Sequence, residues 1–237
     1  MEFMLKKVFT LASWSLGLND PFVAGAKSLG KHSYLKHLAK LNKTWVIIDA
    51  GAHIGSFTDR ASKHLKISKA IFIEPNIEHR ETLLAKKYHS VCLSKAISTN
   101  NLTKYYIRNA RNSGQNFTSS RIKSHEKVAC ITINSVFSRY KIQNDEVYFL
   151  KLDIEGNELD ILRSINTSYL NKIKAISLEI QYDINTINVI DQINEVLPTY
   201  FEIFRETRYG MIKLSRLKPH WTDQLNLFQN LIMINNK

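Results

Sequence analysis

The sequence predicts an α/β fold: a mostly parallel sheet with helices on both faces and antiparallel strands at its C-terminal end. Three observations lead there. Apolar runs of strand length alternate with stretches of helical periodicity from residue 45 to residue 197. Those runs are continuous, the pattern of strands buried on both faces. The last strand-like segments, 200–205, 211–214 and 231–234, have no convincing helix between them, which points to antiparallel closure.

Taken in order, residues 31–41 place Tyr34, Leu35, Leu38, Ala39 and Leu41 at helical spacing between lysines, an amphipathic helix ahead of the core. Residues 45–49 form a first strand, 51–55 a turn and 56–65 a helix. Residues 70–74 form a second strand, halted by Pro75, and 77–88 a helix. Residues 91–97 read as a third strand and 147–153 as a fourth, stopped near Gly156. A helix over 158–165 turns Leu159, Leu162 and Ile165 inward, a fifth strand covers 175–180, and a helix over 187–197 carries Ile190, Ile193 and Leu197 on one side. Residues 104–108 and 128–133 are expected to pair as strands around an exposed polar loop, 109–120. A long polar loop in a compact domain is often functional. Residues 1–43 read as a helical extension leading into or packing on the core, and 44–237 as the domain itself.

The chain has 237 residues, which suits one domain, and 44% of them are hydrophobic, enough for a sizeable core. With 8 glycines and 4 prolines, neither a collagen-like chain nor a long linker is expected. The formal charge of +12 favours acidic partners such as phosphate, anionic glycans, nucleic acid or anionic lipid. Cys92 and Cys130 do not make a disulfide framework, and a reduced, cytoplasmic setting is the simpler expectation. At the N-terminus Lys6-Lys7 precede a mostly apolar run, 8–18, that resembles a short signal or membrane-surface segment. Thr10, Ser13 and Ser15 dilute it, and no stretch approaches the ~20 apolar residues of a membrane span.

The motif Asp49-Ala-Gly-Ala-His-Ile-Gly55 follows a strand and opens a helix, the context that lifts a glycine pattern above noise. Gly51 can take a backbone conformation other residues avoid, and Gly55 lets the helix approach the strand. The Gly-x-x-x-Gly spacing is not that of dinucleotide enzymes, so a pyrophosphate is less expected. Asp49 directly before the turn would attract a cation and repel a phosphate, a sign that suits the sulfonium and ammonium of S-adenosylmethionine. Glu74 ends the second strand, about where α/β nucleoside sites place an acid to accept both ribose hydroxyls. Taken singly, Asp49 could be a helix cap and Glu74 a solvated strand end; on consecutive strand ends, they read together as a ligand site.

The segments Asp49-Ala-Gly-Ala-His-Ile-Gly-Ser-Phe-Thr58, Ile73-Glu-Pro-Asn76 and Leu150-Lys-Leu-Asp-Ile-Glu-Gly-Asn-Glu158 resemble the FkbM family of methyltransferases. Leu178-Glu-Ile-Gln181 and Asn230-Leu-Ile-Met-Ile-Asn235 fit it too, so the resemblance spans roughly residues 44–235. It implies a class I, Rossmann-like methyltransferase fold with a seven-stranded sheet, and methyl transfer to a hydroxyl, often of a sugar or natural product. It further implies that Asp49, Gly51, Gly55 and Glu74 hold the donor and that Asp153 lies beside the reacting methyl. His53 stands where the family often has Asn, and Asn134-Ser135 where an acidic pair often follows the preceding strand.

A sulfonium is already a good leaving group, so the enzyme must chiefly align the acceptor and handle its proton. Lys151, Asp153 and Glu155 alternate at the end of the fourth strand and are expected to share a face, with Asp153 the first candidate for proton acceptance or donor contact. Glu179 and Gln181 share a face at the end of the fifth. Asp153, Glu179 and Gln181 could supply oxygen ligands to a divalent cation such as Mg2+; the alternative is that Glu179 orients the acceptor through hydrogen bonds. His53 could meet the donor carboxylate or merely fill the turn, and Glu158 could merely complement a helix dipole. Asn112, Gln115, Asn116 and Ser119 are candidate acceptor contacts. His125 and His220 read as surface residues.

The leading expectation is an O-methyltransferase acting on a sugar, glycan or other small hydroxylated acceptor. RNA ribose methylation is kept because of the +12 charge, although it usually needs a lysine where the fifth strand ends Glu-Ile-Gln. A non-catalytic nucleotide- or membrane-binding module is the third alternative, against which Asp49, Glu74 and Asp153 argue.

Overall fold

A computed structural model describes residues 33–102, 104–107, 117–119, 126–143, 145–181, 189–207, 210–213 and 228–236. Its centre is an eight-stranded sheet, β3-β2-β1-β9-β10-β13-β11-β12. These are β1 (Thr44–Ala50), β2 (Lys66–Ile73), β3 (His89–Leu93), β9 (Glu146–Leu152), β10 (Ile173–Gln181), β11 (Phe201–Thr207), β12 (Gly210–Lys213) and β13 (Phe228–Asn235). The first five run parallel, and β13 is antiparallel to both β10 and β11. Seven strands thus follow the expected class I arrangement. Residues 210–213 add an eighth, β12, which folds back on β11 as an edge hairpin.

Alternating side chains sort the sheet into two faces. Even positions of β1 and β9, such as Val46, Ile48, Leu150 and Leu152, pack with Phe137, Ile161, Leu162, Leu170 and Ile193. Those partners come from α4 (Ile133–Arg139), α5 (Glu158–Arg163), α6 (Thr167–Leu170) and α7 (Val189–Val196). Odd positions, including Trp45, Ile47, Phe149 and Ala175, pack with Tyr34, Leu35, Leu38 and Phe57. These come from α1 (Ser33–Ala39) and α2 (Ser56–Ala61). Phe149 is the hub of that face, with the rings of Phe57, Trp45 and Tyr34 at 5.3, 5.9 and 6.3 Å. The expected amphipathic helix is therefore part of the core. Residues 1–32, including the signal-like run, lie outside the described residues, and among those described no helix is long and apolar enough to cross a membrane.

Four expectations are corrected. Residues 91–97 are not one strand: β3 ends at Leu93, and β4 (Ala96–Ile97) leaves the sheet to pair with β8 (Cys130–Ile131). The Lys95 amide donates to Leu93 O at 2.8 Å, closing a tight turn between the two. Residues 128–133 also divide, because β7 (Glu126–Val128) pairs with β5 (Lys104–Ile107) while Ile133 starts α4. Thr132 caps that helix through the Ser135 amide, and Ile133, Val136 and Phe137 are its buried side. Within the expected polar loop, Phe117–Ser119 form β6 against β5. Residues 77–88 hold only a 3-10 turn, Ile77–His79, and the short α3, Arg80–Leu84.

Candidate active site

The candidate side chains come from the C-terminal ends of β2, β1, β9 and β10, four neighbours in the sheet. In parallel sheets this edge is where ligand crevices form. The loops leaving β1 and β9 are fastened together there. The Asp153 amide donates to Ala50 O at 3.2 Å, and the Gly51 amide donates to Ile73 O at 3.0 Å. Gly51 sits at φ +73°, and a Cβ on it would fall 1.6 Å from the Asp153 carbonyl oxygen. No other residue fits. Gly55, at φ +79°, serves packing instead: a Cβ there would press on Leu83 and Lys86 at 3.0 Å.

His53 is also left-handed, at φ +50°. Asn and His tolerate this conformation better than most residues, which explains why His53 can stand in the turn. Its amide donates to Glu74 Oε2 and the Asn76 amide to Glu74 Oε1, both at 2.8 Å. Glu74 is therefore fixed at both oxygens while each keeps a free lone pair. The His53 ring meets His79 edge-on at 4.4 Å. Burial, and then His79, push the His53 pKa down, favouring neutral imidazole. Ile54 and Ile77 are exposed apolar side chains flanking this turn and Glu74.

Asp49 lies beneath the turn, fully buried, and does not open onto the cleft. Its Oδ2 accepts from the Thr58 hydroxyl at 2.7 Å, and its Oδ1 is 3.3 Å from Lys151 Nζ. Lys151, expected from sequence to share a face with Asp153 but given no role there, is the hub of these contacts. Its ammonium also donates to Gly51 O at 2.8 Å, lies 3.0 Å from Asp153 Oδ2, and sits over the Phe57 ring at 5.8 Å. Burial pulls the Lys151 pKa down, but Asp49 and Asp153 outweigh it, and the net direction is up. The signal available in sequence was register: parallel pairing sets Lys151 beside Asp49.

Glu155 is not on the strand face with Asp153. β9 ends at Leu152, and Glu155, Gly156 and Asn157 form a run of positive φ (+58°, +124° and +67°). Glu158 holds this turn in shape: its buried Oε1 accepts from the Gly156 and Ile154 amides at 2.8 and 3.2 Å. It does more than complement a helix dipole. Glu179, from β10, lies close enough to Asp153 for the two carboxyls to influence each other. Burial, reinforced by Asp153, raises Glu179 to about 7, and the same two causes raise Glu155 to about 7. The Gln181 side chain lies outside the described residues, as do Asn112, Gln115, Asn116, His125 and His220; Ser119 ends β6. Among the described residues no three His, Cys, Asp or Glu side chains are grouped to hold a metal ion. Asn134 ties α4 to the end of α5, donating to Ser164 O at 2.6 Å and accepting from the Asn166 amide at 3.0 Å.

The raised values have a consequence for stability. Glu155 and Glu179 hold protons in the folded chain that they release near pH 4.5 when unfolded, so their contribution falls as pH rises from about 4.5 through about 7. Urea midpoints of wild type and Glu179→Gln, compared from pH 5 to 8, should diverge, with wild type losing more as pH rises. Parallel curves would contradict this account of Glu179.

The family model described as the methyltransferase FkbM domain matches residues 49–209, which include the turn, Glu74, the Lys151–Glu158 segment and Glu179. The chain belongs to the FkbM methyltransferase family. This FkbM methyltransferase is therefore an S-adenosylmethionine-dependent enzyme with the class I strand order described above. No curated protein matches it in sequence. Similar solved structures include precorrin-6y C5,15-methyltransferase from Geobacter metallireducens, at 11% identity over 90% of this chain and 94% of that one, TM-score 0.40. Another is TrmK from M. capricolum in complex with S-adenosylhomocysteine, at 14% identity over 86% and 68%, TM-score 0.39. Likeness of this size adds nothing to what the family match and the strand order show.

Proposed function

We propose that this FkbM methyltransferase moves a methyl group from S-adenosylmethionine to a hydroxyl of a sugar, glycan or similar small acceptor. The observation that carries the reading is the convergence on Asp153: an ammonium at 3.0 Å, the neighbouring carboxyl of Glu179, and its own carbonyl against Gly51.

The residues fit the donor. Glu74, held by two amides, has lone pairs left for two ribose hydroxyls. Gly51, His53 and Gly55 shape the turn beside it, and the exposed Ile54 and Ile77 offer apolar contact to a base. Asp49 supports this set from below. Bound there, S-adenosylmethionine supplies an electrophilic methyl on a positively charged sulfur.

The acceptor's proton falls to the Asp153–Glu179 pair. A catalytic group is most effective when its pKa lies near the working pH, and Glu179 at about 7 meets that condition. The Lys151 ammonium already sits on Asp153, where a divalent cation would otherwise bind, so the reading needs no Mg2+. A cytoplasmic setting suits the two free cysteines.

The test is a labelled-methyl transfer screen against sugars, glycans and RNA, with mass spectrometry of the products. Expected are methylated hydroxyls on a sugar or small acceptor, turnover that survives a chelator, and a drop of about 10²-fold in Asp153→Asn. Methylated RNA, or turnover abolished by the chelator and restored by Mg2+, would contradict the reading.

A further inference from the structure

We propose that Lys151 is a positioning residue: its ammonium fastens the donor turn to the Asp153 carboxylate and so fixes the spacing between the two sides of the cleft. The inference rests on the donor-binding reading above and deepens it.

The ordinary reason for a buried lysine beside a buried aspartate is to neutralise it. The geometry asks for more. The shortest contact of Lys151 Nζ is to an uncharged group, Gly51 O, at 2.8 Å, and the next is Asp153 Oδ2 at 3.0 Å. Asp49 Oδ1 is the farthest, at 3.3 Å, and lies outside hydrogen-bonding geometry. Asp49 has its own partner in the Thr58 hydroxyl at 2.7 Å.

The turn also needs a brace. Gly51 is left-handed and has no side chain of its own to pack, so its peptide is held only through the backbone. Its amide is fixed from β2 by Ile73 O, and its carbonyl is fixed from β9 by Lys151. The lysine side chain reaches from a strand position level with Asp49 to the loop beyond the strand end. The compact ammonium can meet Gly51 O and Asp153 Oδ2 on different elements while staying beside Asp49, an arrangement that the flat fork of a guanidinium does not reproduce.

Calorimetric titration with S-adenosylmethionine tests this without any acceptor. Asp49→Asn/Lys151→Met removes the two buried charges together, and the carboxylate left without its ammonium, Asp153, is partly exposed to water. If Lys151 positions the turn, the double variant binds the donor at least about tenfold more weakly than Asp49→Asn alone. Lys151→Arg keeps a charge for Asp49; it should likewise lose about tenfold while its melting temperature stays near that of wild type. Equal donor affinity in the double variant and Asp49→Asn, with full affinity in Lys151→Arg, would overturn the proposal and leave charge neutralisation as the role of Lys151. Absence of donor binding by the wild-type protein is a different result: it would overturn the parent reading, and this inference with it.

Discussion

Gly51→Ala should cost the fold on the order of 3 kcal/mol or more and abolish donor binding. Two penalties add. An L side chain in the left-handed region costs roughly 1–2 kcal/mol, and forcing a methyl into filled space costs about 1–3 kcal/mol. The new Cβ would fall 1.6 Å from the Asp153 carbonyl oxygen, which cannot yield without breaking the Asp153 amide bond to Ala50 O. Relief would require the loops after β1 and β9 to part, and with them the two walls of the cleft. In a domain of this size the melting temperature should fall by about 6–12 °C. A thermal melt and a donor titration check both halves. A variant that melts and binds like wild type would mean that these loops are not packed as described.

Glu74→Ala is the second large effect, and it should fall mainly on binding. Removal of the carboxylate leaves the His53 and Asn76 amides without their acceptor, at about 1–3 kcal/mol for each that stays buried. It also removes the acceptor for two ribose hydroxyls, each hydrogen bond to a charged group being worth about 1.5–3 kcal/mol. Donor affinity should drop by about 10²-fold or more. Glu74→Gln keeps one oxygen and should fall between. A Glu74→Gln protein that binds the donor like wild type would remove Glu74 from the site.

Much of this was legible in the chain. The five parallel strands are apolar on both faces and so announce themselves without regard to which side is which. Asp49, Glu74, Asp153 and Glu179 end four adjacent strands, and the order of strands in this fold brings them to one edge. Other features were hidden for identifiable reasons. The break between β3 and β4 is a two-residue turn, Ser94-Lys95, that carries neither glycine nor proline. α4 begins inside an apolar run, where only the Thr132–Ser135 cap and the buried spacing of Ile133, Val136 and Phe137 distinguish helix from strand.

At the site, period-two alternation was carried past the end of β9, which put Glu155 on a face it does not share. The turn at 155–157 has positive φ throughout, a conformation that Gly156 and Asn157 tolerate and that Glu155 gave no sign of. The sign of the charge before the glycine turn suggested direct attraction for a cation, but Asp49 proved fully buried, answered by Thr58 and Lys151. Lys151 was placed on a face with Asp153, but nothing in sequence gave it a role. Its contacts lie 100 and 102 residues away in sequence, at Gly51 and Asp49, and only the register of β1 with β9 brings them together.

The most direct measurement is a crystal structure of the protein with S-adenosylhomocysteine. It should show both ribose hydroxyls on Glu74, the turn at 51–55 against the nucleoside, and the sulfur facing Asp153. A nucleoside bound elsewhere, with Glu74 still engaged only by the His53 and Asn76 amides, would contradict the shared cleft on which the functional account depends.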